Sequence, residues 1–299
     1  MDCSLDTQKT PSRIAIGTAQ FGLNYGVSNS SGQVSQANIE SILNVARSYG
    51  IDTLDTAKLY GTSEYALGQA QPHKFRIVTK LPAVPPSTKS PATWISSQVL
   101  ESLEKLGTNR VDALLLHRPE QLFTPIGKEV SDSLHDLKRQ GLVDKIGITI
   151  YTPDDLESLL AKLDIDLIQA PFNVLDQRLY ISGWLEQLTQ RGIEVHTRSA
   201  FLQGLLLMPP QNRPTYFDQW NPLFQMWSSW LAEHQLTPLE ACLRYVLQFP
   251  QISKVVVGVE TANQLEEIIK ASLGSLPPLP QTMLTEDQSL INPSLWKLT

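Results

Sequence analysis

Short runs of almost unbroken apolar residues alternate along the chain with longer stretches whose apolar positions recur every three or four residues. RIAIGTA (13–19) precedes NIESILNVARSYG (38–50), IDTLDTA (51–57) precedes SEYALGQA (63–70), and FRIVTKL (75–81) precedes ATWISSQVLESLEKLG (92–107). VDALLLH (111–117), KEVSDSLHDLKRQG (128–141), DKIGITI (144–150), DDLESLLAKL (154–163), DLIQAPF (166–172) and ISGWLEQLTQRG (181–192) continue the series. IEVHTRSA (193–200) and SKVVVGV (253–259) add two more runs of strand type, making eight. Runs with so little polar alternation read as strands buried on both faces, and amphipathic helices between them call for right-handed crossovers and a parallel sheet. Eight such units predict an α/β fold of the (β/α)8 TIM-barrel type rather than an open sheet. Gly50, Gly107, Gly141 and Gly192 fall where helices need a left-handed residue to stop.

The spacing breaks between residues 200 and 253, where TYFDQWNPLFQMWSSWLAEHQ places Leu223, Phe224, Trp227, Trp230 and Leu231 on one helical face. Such a stripe reads first as core packing and second as a pocket wall. The Pro-rich tail beyond residue 272 predicts an extended segment over the barrel surface, with Trp296 to pin it. No repeat or linker divides the chain. The expectation is one domain over 1–299, with the barrel at about 13–272, an inserted helical loop after strand seven and a tail at 273–299.

Charge changes little. The net charge is −6 and the signs are interspersed, which gives no footprint for nucleic acid or an anionic membrane. The opening MDCSLDTQKTPSR has no apolar core to suggest a secretory signal, and Cys3 and Cys242 have neither disulfide-framework nor zinc spacing. A cytoplasmic protein is expected, acting on a small molecule as a monomer or small homo-oligomer.

Strands of a parallel barrel present chemistry at their C-terminal ends. Here the apolar runs finish at Asp55, Lys80, His117, Thr149, Gln169 and Arg198 or Ser199, with Tyr60 five residues beyond Asp55. Each alone has a plain structural reading as a cap, a solvated charge or a strand-edge polar group. Together they would crowd titratable groups on one mouth, a desolvation cost that clusters bear only by pairing. A buried ammonium at Lys80 would ease loss of the Tyr60 proton, Asp55 would keep Lys80 charged, and His117 would orient a carbonyl or share in proton transfer.

Asp55, Tyr60, Lys80 and His117, with GTAQFG (17–22), the block GIDTLDTAKLYGTSEYALG (50–68) and LLLHRP (114–119), resemble the aldo-keto reductase family. The resemblance spans about residues 13–272. It implies a nicotinamide dinucleotide, NADPH or NADH, across the barrel mouth without a Rossmann fold, hydride delivered to a carbonyl carbon, and Tyr60 as general acid. It also places cofactor contacts at Gly17, Thr18 and Asp55 on the early strands, at Thr149, Gln169, Arg198 and Ser199 on the middle ones, and at Leu202, Gly204, Gly258, Val259, Thr261, Gln264 and Glu267 further on.

The cofactor side departs from the family pattern. Thr149 and Ile150 stand where Ser-Asn usually holds the amide, and Arg198 where a tyrosine often stacks on the nicotinamide. Gly258 and Gln264 replace the Lys and Arg that pair a 2′-phosphate, so NADH should serve at least as readily as NADPH. Thr261 and Gln264 read equally as a capping box. Trp220, Trp227, Trp230 and Trp296 suggest an apolar substrate pocket, while Arg118, Asn173, Arg178 and Arg198 would suit an anionic or sugar-like substrate if they face inward. Two rivals remain: a cofactor-binding sensor with little turnover, and a metal hydrolase using Asp55, His117 and His196, which Lys80 disfavours by repulsion.

Overall fold

Eight short strands pair in parallel around a closed barrel. They are β1 (Ile14–Gly17), β2 (Thr53–Asp55), β3 (Arg76–Leu81), β4 (Val111–Leu116), β5 (Val143–Thr149), β6 (Leu167–Pro171), β7 (Glu194–Arg198) and β8 (Ile252–Gly258). Each pairs with its neighbour in sequence, and β8 closes on β1, with Gly17 opposite both Asp55 and Gly258. This computed structural model describes residues 11–27, 29 and 32–298. Cys3 and the rest of residues 1–10, most of the opening read for a secretory signal, and the final Thr299 of the tail lie outside them.

Eight helices follow the strands: α1 (Gln36–Ser48), α2 (Ser63–Gln69), α3 (Pro91–Leu106), α4 (Gly127–Arg139), α5 (Leu156–Leu160), α6 (Trp184–Gln190), α7 (Pro238–Leu247) and α8 (Ala262–Ala271). The four predicted stop glycines all take positive φ, from 64° at Gly107 to 74° at Gly141. Two helices differ from expectation. The 154–163 stretch condenses to the five residues of α5, and 181–192 divides at Gly183 (φ 77°) into a turn at Arg178–Ile181 and α6.

The barrel wall has two faces of different character. Outward residues such as Ile14, Ile16, Leu54, Leu114 and Ile146 pack under the helices in the main core. Inside, Val78, Ala113, Leu115 and Leu167 form a small separate apolar plug. Ionic groups close the N-terminal end, where Lys254 meets Asp52 at 2.5 Å and Glu194 takes contacts from His196 (3.0 Å) and Lys145. The His196 hydrogen bond and then Lys145 hold the Glu194 carboxyl down at about 2 against its burial. Strands expected to be apolar on both faces therefore carry charge on the inner one, where Lys145 of β5 and His196 of β7 itself meet Glu194, and Asp52 just ahead of β2 meets Lys254 of β8.

After β7 the chain passes through 3-10 turns into a helix at Asn221–Glu233, and Thr237 with Glu240 forms a reciprocal capping box that starts α7. Phe224, Trp227, Trp230 and Leu231 are buried as core, and the Trp227 and Trp230 rings stack 5.8 Å apart. The tail is not simply extended. Met283, Leu290 and Ile291 are buried, which draws it into short turns at Gln281–Met283, Gln288–Ile291 and Pro293–Leu295. Trp296 does pin it, edge-on to Phe217 at 4.9 Å.

Candidate active site at the strand ends

Asp55 ends β2 and Lys80 stands near the end of β3, and their side chains meet at 2.6 Å with almost no exposure, 4% and 1%. A buried pair is tolerable only if the remaining lone pairs and protons are used. They are: Gln169 Nε2 donates to the second Asp55 oxygen at 2.6 Å, and Lys80 Nζ also donates to the Thr56 carbonyl at 2.8 Å. Burial pulls the Lys80 pKa down, but the Asp55 charge and hydrogen bond, with the Tyr60 hydroxyl, more than offset it and leave the ammonium's pKa raised.

Lys80 Nζ lies 5.0 Å from the Tyr60 ring centroid, and the His117 ring meets the Tyr60 ring edge-on at 6.2 Å. Burial first, then the Lys80 and Arg198 charges, push His117 down to about 4. The imidazole is therefore neutral at physiological pH, and its buried Nδ1 has no hydrogen-bond partner. The structure thus brings all four predicted catalytic residues together.

Tyr60 sits in a tight turn, its N–H donating to Ala57 O at 2.9 Å and its carbonyl accepting from Ser63 N at 3.0 Å. Ser63 Oγ ties this turn to the loop after β1 through Thr18 O (2.9 Å) and Thr18 Oγ1 (2.8 Å). The two loops touch backbone to backbone: a Cβ on Gly22 would lie 1.8 Å from Tyr60 O, and one on Gly61 (φ 57°) 2.3 Å from Gly22 O. Glu64, also buried, accepts from Thr79 Oγ1 at 2.7 Å and Ser102 Oγ at 3.1 Å and so fixes α2 to its neighbours.

A cavity of about 350 Å³ runs from Asp55 and Tyr60 to Gln264 and Glu267 on α8. Gly17, Thr18, Gln169, Arg198, Ser199, Gly204 and Gly258 line it as expected; Thr149, Leu202, Val259 and Thr261 do not. Thr149, Leu202 and Val259 are buried in the wall behind, and Thr261 uses its hydroxyl to accept the Gln264 N–H at 3.2 Å. The expected capping box is shifted by one residue, because Gln264 Oε1 accepts from Glu260 N (2.8 Å) rather than from Thr261. Arg198 is also more occupied than expected, donating to Ile150 O at 3.1 Å with its guanidinium 4.6 Å from the Tyr151 ring centroid.

Sequence reasoning missed Gln20, Tyr25, Gln203 and Glu260, all of which line the cavity. Gln203 Nε2 donates to the Tyr25 hydroxyl at 3.2 Å, linking the loops after β1 and β7. That second loop holds Ser199 (φ 64°), Leu202 (49°) and Gln203 (53°) in left-handed conformations without glycine, which no residue pattern announces. Gln20 fills the space beside Gly258, where a Cβ would fall 2.4 Å from its Nε2.

Other candidates resolve as structural. None of Trp220, Trp227, Trp230 and Trp296 lines the cavity. Arg178 is bound to Asp176 through two contacts of 2.8 Å, and buried Asn173 caps its own turn through Leu175 N and Asp176 N. His196 is engaged with Glu194, and among the described residues no group of three His, Cys, Asp or Glu side chains could hold a metal ion. Nor is any described helix long and apolar enough to cross a membrane.

The arrangement fits a dinucleotide: a cleft lined by Gly17 and Gly258, with the Tyr60 phenol at one end. Comparison with known proteins agrees. The model of the aldo/keto reductase family matches residues 13–288. An NADH-specific methylglyoxal reductase from Escherichia coli is 27% identical, covering 94% of this chain and 95% of that protein. An L-galactose dehydrogenase from Arabidopsis thaliana is 28% identical, covering 94% and 91%. Among solved structures, an aldo-keto reductase from Bacillus halodurans in its holo form superposes with a TM-score of 0.70 at 21% identity, covering 91% of this chain and 89% of that one.

Proposed function

This chain belongs to the aldo/keto reductase family and is an oxidoreductase, and we propose that it reduces an aldehyde or ketone to an alcohol with NAD(P)H as hydride donor and Tyr60 as proton donor. The observation that carries this reading is the Lys80 ammonium, clamped by Asp55 at 2.6 Å and facing the Tyr60 ring at 5.0 Å. When bound, the reduced nicotinamide supplies a hydride to the carbonyl carbon and is itself oxidised. As the C=O π bond breaks, its oxygen takes the Tyr60 proton. Lys80 stabilises the phenolate left behind, and water at the mouth restores the proton. Neutral His117 holds the carbonyl oxygen by a donated hydrogen bond, a role that needs no change of protonation. Gly17, Thr18, Gln169, Ser199 and Gly204 would hold the coenzyme along the cleft.

For the cofactor we propose that NADH serves at least as readily as NADPH. Gly258 offers no cation, the Gln20 amide occupies the space beside it, and Gln264 spends its carbonyl on Glu260 N. Glu260 and Glu267 add negative charge where a 2′-phosphate would need the opposite. An E. coli relative named NADH-specific points the same way. Fluorescence titration with each cofactor tests this, and a clear NADPH preference would show it wrong.

The activity is tested by steady-state NAD(P)H oxidation over a panel of aldehydes and ketones. A general acid of this kind is worth about 10²–10⁴ in rate, so Tyr60→Phe should lower kcat by that factor while cofactor affinity holds. Collapse of cofactor binding in Tyr60→Phe, with kcat little changed, would remove the phenol from the chemistry.

A further inference from the structure

With Trp220, Trp227, Trp230 and Trp296 all outside the cavity lining, the polar candidates are the ones left to meet a substrate. Two of the four polar candidates are committed to structure, Arg178 to Asp176 and Asn173 to its own turn. Arg118 and Arg198 remain. Arg118 directly follows His117 and is exposed outside the cavity lining, with its guanidinium 5.9 Å from the Tyr151 ring centroid; Arg198, at 4.6 Å from the same ring, lines the cavity, as Tyr60 does, and so links that outer pair to it. Neither makes an ion pair among the described residues. The acids nearby give no match: Asp55 is held by Lys80 and Gln169, Asp176 by Arg178, and Glu120 in the following turn pairs with neither arginine.

We infer that the substrate carries an anionic group, a carboxylate or a phosphate, a few bonds from its carbonyl, and that Arg118 and Arg198 bind it over the ring of Tyr151. This rests on the carbonyl-reductase reading above and names the substrate class for it. A guanidinium presents a planar fork of donors that matches either oxyanion, and stacking on an aromatic ring fixes the plane of that fork without neutralising it. Arg198 is anchored by the Ile150 carbonyl and the Ser199 hydroxyl (3.3 Å), so part of its ordering cost is met before any ligand arrives. The same cations press on His117: Lys80, Arg198 and Arg118 all lower its proton affinity, and among charged neighbours only Asp55 raises it. A protein with a net charge of −6 therefore keeps cations at the Tyr60 end of the cleft, which favours encounter with anions there.

The test compares aldehydes matched in chain length, butanal with 4-oxobutanoate and glyceraldehyde with glyceraldehyde 3-phosphate, using the full chain with its cofactor. At least one anionic member should show kcat/KM about tenfold above its neutral partner, the size of one charge-assisted contact, with the gain in KM. The two pairs tell carboxylate from phosphate. In Arg118→Met the anionic-to-neutral ratio should fall towards one, with Arg118→Lys retaining part of it. Succinate and inorganic phosphate, titrated calorimetrically into the cofactor-loaded protein, give a readout independent of turnover, and Arg118→Met should weaken whichever binds about tenfold. Reduction of neutral aldehydes with no anionic advantage would overturn the inference and leave the reductase reading standing. Arg118-dependent anion binding without reduction of any aldehyde would overturn the reductase reading instead and keep the anion site.

Discussion

Replacing Lys80 with methionine separates the electrostatics of the site from its packing. Met keeps most of the apolar stem and removes the ammonium, so the change in core volume is small. What is lost is the cation 2.6 Å from Asp55, in a pair whose side chains are 1% and 4% exposed. Asp55 would keep only the Gln169 donor, and the Thr56 carbonyl would lose its own. Removing one partner of a buried pair costs about 3–5 kcal/mol, and Lys80→Met should destabilise by that amount at neutral pH. The double variant Lys80→Met/Asp55→Asn removes the stranded charge and should regain at least about 2 kcal/mol, since uncharged replacements of buried pairs are often nearly neutral. Urea unfolding followed by tryptophan fluorescence, with equal m values required, measures all three proteins.

The pH dependence has a definite sign. An unpaired buried carboxylate takes up its proton at higher pH than in the unfolded chain, so the Lys80→Met deficit should be largest at neutral pH and shrink on acidification. In the wild type the raised Lys80 pKa means that its contribution is complete at neutral pH and is lost only as pH climbs through the folded-state value, in the alkaline range. A Lys80→Met cost below about 1 kcal/mol, or a double variant no more stable than the single one, would refute the claim that this pair is a closed buried unit.

Gly258→Lys must displace the Gln20 amide, so Gln20→Ala/Gly258→Lys/Gln264→Arg should move the NADPH-to-NADH affinity ratio about 10–100-fold further toward NADPH than Gly258→Lys alone; equal ratios in fluorescence titration would clear Gln20 of that role. His117, pushed down to about 4, should leave kcat/KM without an imidazole inflection near about pH 6.5, and a limb there that disappears in His117→Gln would contradict its neutral state. Gly22→Ala forces a methyl within 1.8 Å of Tyr60 O, so kcat should fall about 10²-fold through displacement of the phenol, and a kcat within twofold of wild type would show the turn can yield freely.

The barrel was legible because parallel strands announce themselves as apolar runs between amphipathic helices, and all eight formed within a few residues of where the pattern put them. Of the four predicted catalytic residues, Asp55, Lys80 and His117 were legible because each interrupts such a run at its C-terminal end, and Tyr60 by its place in the turn five residues beyond Asp55. Other features had no local signal. Trp227 and Trp230 show the same helical spacing whether they line a pocket or fill a core, and only the packing of the 221–233 helix under the tail decides for core. Gln20, Tyr25 and Gln203 depend on two distant loops meeting, one of them bent by left-handed residues that are not glycine. Charge inside the barrel was hidden for a related reason: Lys145, Glu194 and His196 look like solvent-facing residues until closure of the barrel brings Lys145 of β5 to Glu194 of β7, which His196 on the same strand also meets.

Taken together, these groups make the cleft electrically lopsided. Glu260 and Glu267 stand at the α8 end, where a 2′-phosphate would lie in the proposed binding mode, and Arg198 with Lys80 and Arg118 stands at the Tyr60 end. The same polarity acts on both reactants. In the proposed function it would disfavour a phosphate on the adenine ribose and favour electron density building on the substrate oxygen, because Lys80 and Arg198 are held by hydrogen bonds before the reaction begins. It also explains why His117 serves better neutral. A further proton among three cations would add repulsion without a carboxylate to absorb it, since Asp55 has already given one oxygen to Lys80 and the other to Gln169. In the proposed function, proton donation falls to the Tyr60 phenol, because a proton lost from Lys80 would leave the buried Asp55 carboxylate unpaired, whereas one lost from Tyr60 leaves a phenolate beside the Lys80 cation.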